Sequence, residues 1–146
     1  MIKPVLKQFG GVTIYGYSAQ TRNCDERDSE TAKIPALWQT LFSSPFTPDQ
    51  GIYGVYSDYQ SDVNGLYKIT VGVPINQALP EIEAVTIFPG KYLVFENTGP
   101  QPETVIKTWQ QVWDYFSMNP AHQRNYQTDF EVYTGKEGVE IYIGVQ

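Results

Sequence analysis

Several kinds of chemistry are poorly supplied in this 146-residue sequence. It has one cysteine, Cys24, so no disulfide can form within the chain and a reducing compartment is the natural expectation. It has one histidine, His122, which follows Asn119-Pro120. No second histidine, and no cysteine or carboxylate at ligand spacing, joins it to make a zinc site. No serine sits in a nucleophile-elbow context, and no glycine-rich loop follows a strand and opens a helix as phosphate binding requires. Lysine and arginine number only ten, form no run, and leave a net charge of −6. Direct nucleic-acid binding is therefore not expected, because phosphate contacts need clustered positive charge. Residues 1–30 lack a signal-peptide core and no apolar run approaches membrane-spanning length, so a cytoplasmic protein with no membrane partner is expected. Nothing in the sequence calls for a metal or another cofactor.

Aromatic residues are abundant. Eleven Tyr, seven Phe and three Trp make up 14% of the chain. Tyrosine has a polar tip on an apolar body, which suits clefts and interfaces as well as sheet faces. The aromatics fall within a readable order of elements. Val12, Ile14 and Gly16 alternate with Thr13, Tyr15 and Tyr17, a strand pattern. Residues 19–32 are polar and read as a loop. Ile34, Leu37, Trp38, Leu41 and Phe42 then recur at helical spacing, with Thr31 as the expected N-cap, Pro35 in the first turn, and Pro45 and Pro48 beyond the end. Strands are predicted at 52–59 and 66–75, joined through an Asn64-Gly65 turn. The second half gives strands at 83–88 and 91–96 around Pro89-Gly90 and a loop at Gly99, Pro100 and Pro102. A helix is predicted over 103–117, with Val105, Trp109, Val112, Trp113 and Phe116 inward. Strands at 127–134 and 138–145, joined by a turn at Gly135–Gly138, complete it.

The two halves can be laid over each other. Ile34–Gln39 matches Val105–Gln110, which equates Trp38 with Trp109. Tyr53–Tyr56 matches Phe130–Tyr133, Lys68–Val73 matches Glu140–Val145, and Phe9–Gly11 matches Phe88–Gly90. Four matches in one order point to duplicated architecture. The expected fold is α+β: one domain over 1–146, built from duplicated βαββ units at 1–75 and 80–146. They would form an antiparallel sheet of about eight strands with two helices on one face. A cleft is expected at the pseudo-two-fold junction, where ligands bind without cutting either core.

One residue breaks the overlay. Glu131 stands mid-strand in Asp129-Phe-Glu-Val-Tyr133, where the other half has Gly54. A carboxylate inside a sheet must face water or meet a partner. Two readings follow: an exposed strand face, or the floor of an aromatic cleft awaiting a cation.

The order of elements, the strands at 130–133 and 139–145, and Phe88–Phe95 leading through Gly99-Pro100 into the Trp109 helix resemble the gyrase-inhibitor-like effector-binding domains. That family occurs at the end of multidrug-sensing transcription regulators and also alone, and the chain looks like a stand-alone member of the kind carried on integron gene cassettes. The resemblance implies a pocket for lipophilic cationic small molecules. By motif position it implies Glu131 as the countercharge and Tyr142, on the last strand, as a pocket wall. Trp109 and Tyr56 are further ligand-binding candidates, followed by Tyr15, Trp38, Tyr92 and Tyr133. The regulators carry a DNA-binding domain ahead of this module. Here the module starts at residue 1, so transcription control is expected to need a separate regulator or other protein partner. Hydrolysis of reactive small molecules on the same fold, or a protein-inhibitor role, are the alternatives that the family allows.

Overall fold

The computed structural model describes residues 4–28, 30–43, 51–60, 65–75, 82–100, 103–118, 122–134 and 138–146. The expected turns at Asn64, Pro102 and 135–137, the prolines at 45 and 48, and Asn119-Pro120 lie outside them. The elements run β1 (Val5–Phe9), β2 (Val12–Thr21), α1 (Asn23–Glu26), α2 (Ile34–Ser43), β3 (Ile52–Ser57), β4 (Tyr67–Val73), β5 (Glu83–Ile87), β6 (Gly90–Thr98), α3 (Glu103–Ser117), β7 (Arg124–Thr134) and β8 (Gly138–Val145). All eight strands join one antiparallel sheet in the order β1-β6-β8-β7-β3-β4-β2-β5. Exchanging β1–β4 with β5–β8 returns this order read backwards, which is the internal symmetry that the sequence overlay anticipates. The fold is α+β, as expected.

Each helix is preceded by two strands. β1 shows no alternation in the sequence, because four of its five residues are exposed and Lys7 and Gln8 interrupt the apolar ones. It pairs with β6, in the other half, while β5 pairs with β2. The exchange is register-symmetric. Val12 faces Ile87 in one ladder, and Gln8 faces Lys91 in the other.

These pairings forbid a flat sheet. β1 and β2 are joined by Gly10 and Gly11 alone, yet stand six strand positions apart. Six spacings of a flat sheet measure about 29 Å. Three extended residue steps reach only about 11 Å. The Phe88-Pro89 link between β5 and β6 meets the same limit. The sheet therefore bends until its two edges meet. Gly11, at φ +88, lies where a Cβ would stand 3.1 Å from the Ile87 carbonyl oxygen. Inside the bend, Ile14, Val55, Ile87, Tyr92 and Phe130 are buried together, with Phe9 closing over Phe130 at 5.0 Å between ring centroids.

The opposite face carries the helices. α2 packs with Leu41, Leu37 and Trp38 over Tyr67, Ile69 and Val71. α3 buries Val112 against Leu93, Phe95, Ile141 and Ile143. Its most buried residues also include Thr104 and Thr108, and Thr108 accepts a hydrogen bond from Asn97 Nδ2 at 2.7 Å. That polar seam rotates the helix from the expected orientation, so Trp113 is 41% exposed. The expected loop at 19–32 contains the end of β2 and the short α1. Glu26, rather than Thr31, caps α2: its carboxylate accepts the Lys33 and Ile34 backbone N–H groups at 2.8 and 3.0 Å. The Thr31 hydroxyl instead donates to the Asp25 carbonyl. A cap from eight residues upstream leaves no short-range sequence signal.

Candidate functional site

Between α2 and α3, over the centre of the sheet, lies a cavity of about 920 Å³. Trp38 and Phe42 line it from α2, Trp109 and Trp113 from α3, and Tyr56, Glu131 and Tyr133 from the central strands β3 and β7. Its position follows from the pairing of those two strands. Each helix covers its own half, and the seam between the halves is left to side chains from both.

The centre of the seam is the pair Gly54 and Glu131, which are cross-strand partners. They are also the residues that the overlay equates, so they meet at the pseudo-two-fold axis. Two side chains do not fit there. A Cβ on Gly54 would stand 3.0 Å from Glu131 Cγ and 3.3 Å from Trp38 Cζ2. Glycine in one half makes room for the carboxylate of the other. Around this point the aromatic residues repeat in pairs. Tyr56 meets Trp109 edge-on at 5.1 Å, and Tyr133 meets Trp38 edge-on at 5.4 Å. Each contact joins the tyrosine of one half to the tryptophan of the other.

Glu131 is 3% exposed. Its Oε1 accepts hydrogen bonds from the Tyr56 hydroxyl at 2.6 Å and from Trp109 Nε1 at 3.2 Å, and its Oε2 accepts one from the Tyr133 hydroxyl. All three donors are neutral, and among the described residues no ion pair involves Glu131. Burial pushes its carboxyl above the usual range, and the bonds from Tyr133, Tyr56 and Trp109 pull partly the other way. The same carboxylate, with burial the larger cause, holds the Tyr56 and Tyr133 hydroxyls well above the usual tyrosine range, so they stay protonated donors.

Two residues away, Asp129 is fully buried and has a cation of its own. Arg124 Nη2 donates to Asp129 Oδ2 at 2.6 Å, Tyr59 adds a hydroxyl at 2.5 Å, and the Gly144 backbone N–H donates to Oδ1 at 2.8 Å. The Arg124 guanidinium lies 4.6 Å from the Tyr126 ring centre, a cation–π contact. Arg124 and Tyr59 form part of the cavity wall.

Five of the residues singled out from sequence meet here: Glu131, Trp109, Tyr56, Trp38 and Tyr133. The structure places the other three elsewhere. Tyr142 stacks on Phe130 at 4.4 Å between centroids, and Tyr92 joins the same cluster inside the bend. Phe130 neighbours Glu131 along β7, so its side chain points to the other face, and Tyr142 is its cross-strand partner. Tyr15 sits on β2, outside the cavity lining. Sequence reasoning missed Tyr59, Tyr67 and Arg124. Tyr59 and Tyr67 flank the same hairpin as Tyr56, which was a usable signal; the bulge that turns Arg124 toward Asp129 left none. Among the described residues no cluster of His, Cys, Asp and Glu could hold a metal ion, and no helix is long and apolar enough to cross a membrane.

With this geometry, comparison with known proteins is informative. A solved integron cassette protein from the mobile metagenome of Vibrio cholerae superposes with a TM-score of 0.93 and is 34% identical, over 99% of this chain and 97% of that one. YobU of Bacillus subtilis strain 168, provisionally named a transcriptional regulator protein, is 30% identical over 97% of this chain and 93% of its own. The structure of SAV2435 bound to tetraphenylphosphonium shares the fold, with a TM-score of 0.71 at 22% identity over 99% of this chain and 94% of that one. The model of the Cass2 family, described as integron-associated effector binding protein, matches residues 6–145, and the chain belongs to that family.

Proposed function

We propose that this protein binds lipophilic organic cations in the cavity between α2 and α3, with Glu131 as the countercharge. One observation carries the reading. A buried carboxylate sits at the floor of an aromatic cavity with three neutral donors and, among the described residues, no cation of its own. Those bonds offset part of the cost of burying the charge but leave it uncompensated. A delocalised cation about 5 Å away would gain roughly 3 kcal/mol at an effective dielectric of 20. Each aromatic face adds about 0.5–2 kcal/mol of cation–π attraction. The tetraphenylphosphonium complex of a protein with this fold supports the reading. A regulatory use of such binding, through a separate partner, is part of the proposal and is supported by the naming of the Bacillus relative.

Titrating the tryptophan fluorescence with tetraphenylphosphonium and with tetraphenylborate, ions of one shape and opposite charge, tests it. The cation should bind at micromolar concentration and the anion at least tenfold more weakly. Equal affinities would mean that shape and apolar burial alone drive binding.

A further inference from the structure

Two large aromatic rings of the cavity wall are left well exposed. Phe42 is 60% exposed and Trp113 is 41% exposed. Each stands four residues after an inner tryptophan on its own helix, on the same helix face, and stacks on it. Phe42 lies 5.9 Å from Trp38 between ring centroids, with 23° between the planes, and Trp113 lies 6.1 Å from Trp109 at 34°. The overlay that equates Trp38 with Trp109 also equates Phe42 with Trp113.

The internal symmetry fixes where these rings lie relative to Glu131. The pseudo-two-fold axis passes between Gly54 and Glu131, and both helices cover one face, so the axis stands perpendicular to the sheet. Such an axis reverses every direction within the sheet plane. α2 and α3 therefore run past it in opposite directions. Trp38 and Trp109 stand beside the axis: Trp109 Nε1 donates to Glu131, and Trp38 Cζ2 is 3.3 Å from where a Cβ on Gly54 would be. Four residues of helix advance about 6 Å. Phe42 is thus displaced to one side of Glu131 and Trp113 to the other. Ile34 and Val105, four residues before the tryptophans, also line the cavity and by the same symmetry fall at the Trp113 end and the Phe42 end respectively. The cavity has one central charge and two apolar arms.

We propose that the cavity selects cations whose charge sits between two aromatic arms over isomers that carry the charge at one end, and that Phe42 and Trp113 each receive one arm. The proposal rests on the cation-binding reading above and adds the shape of the ligand to it. A centrally charged cation can meet Glu131 and cover both exposed rings at once. An end-charged isomer that meets Glu131 sends both of its rings into one arm and leaves the ring of the other arm in water. The two differ in the apolar surface removed from water, which drives association in proportion to its area.

Dibenzyldimethylammonium and (biphenyl-4-ylmethyl)trimethylammonium are isomers with the same charge and two phenyl rings each. Their dissociation constants are measured by tryptophan fluorescence on the wild-type protein, on Phe42→Ala and Trp113→Ala, and on the double variant. Benzyltrimethylammonium serves as a one-armed control, and thermal unfolding checks that each variant is folded. The centrally charged isomer should bind more tightly by about fivefold or more. Each single substitution should weaken it severalfold and remove most of its advantage. Benzyltrimethylammonium has a choice of arms, so it should tolerate either single substitution and weaken only in the double variant. Equal affinities of the two isomers for the wild-type protein would overturn the shape preference. So would a preference that persists in the double variant, because Phe42 and Trp113 would then not receive the arms. The neutral isostere 2,2-dimethyl-1,3-diphenylpropane tests the charge separately. If it binds as tightly as dibenzyldimethylammonium, the cation-binding reading itself fails.

Discussion

Asp129 and Glu131 stand two residues apart on the same face of β7, and both are buried. Asp129 is paired within the protein. Arg124 neutralises it, Tyr59 and the Gly144 N–H complete its hydrogen bonds, and Tyr126 covers the guanidinium. Glu131 has tyrosine and tryptophan donors where Asp129 has arginine. The first arrangement is closed: charge, hydrogen bonds and packing are all supplied by the fold. The second satisfies hydrogen bonds and, among the described residues, gives the charge no cation. Neighbouring carboxylates on one strand thus divide between an ion pair and a carboxylate held by neutral donors. Whether a buried acid marks a site depends on the donors it meets, and burial alone does not decide it.

The comparison breaks most readily at Arg124. Arg124→Met should leave Asp129 buried without its cation and destabilise the fold by about 3–5 kcal/mol. Urea denaturation measures this, and adding Asp129→Asn to the same chain should recover part of the loss. A loss under about 1 kcal/mol would mean that the pair does not hold this end of the sheet.

Glu131→Gln should behave in the opposite way. No partner cation is stranded, so stability should hold or rise slightly, while affinity for tetraphenylphosphonium should fall by about 2–5 kcal/mol if the ion pair is desolvated. The pH dependence has a defined sign. The folded carboxyl titrates above its unfolded value. Ionising Glu131 therefore costs apo-protein stability as pH rises from the unfolded value to the folded one. Cation affinity runs the other way. It should be full above the raised pKa and decline as pH falls through it, with a proton released on binding in that range. A Gln variant that keeps both wild-type affinity and wild-type pH profile would remove Glu131 from the site.

The third change sharpens the contrast between the halves. Gly54→Ala places a methyl 3.0 Å from Glu131 Cγ and 3.3 Å from Trp38. Those neighbours must shift, at a cost of about 1–3 kcal/mol. Thermal unfolding should show the loss, and cation affinity should drop because the carboxylate moves. If both stay at wild-type values, Gly54 is not what makes room for the acid.

Legibility in the sequence differed between the parts of this site. Glu131 and Tyr133 stand two apart on one strand, so alternation alone puts them on one face, and the overlay of halves adds Tyr56, Trp38 and Trp109 as symmetry-related positions. Tyr142 carries an equally plausible aromatic ring, but its face depends on the register of β8 against β7. A one-residue slip would reverse it, and the signal against such a slip is the alternation of Val139, Ile141 and Ile143, which pack with α3, with Tyr142 between them. Arg124 is five residues upstream of the regular β7 pairing and reaches Asp129 through an irregularity in the ladder, with Tyr126 at φ +54. Periodicity cannot anticipate such a detour.

The sequence by itself determined the class of fold, the duplication, and the odd acid at a position where its counterpart is glycine, because these are carried by local periodicity and by comparison of the chain with itself. Tertiary structure alone decided three further things. It set the bend of the sheet, forced when two-residue links join strands six positions apart. It set which tyrosines face the cavity, through inter-strand register. It gave Asp129 an arginine and Glu131, among the described residues, neutral donors alone, because charge compensation in a buried site depends on distances of a few ångströms between residues that the chain order keeps apart.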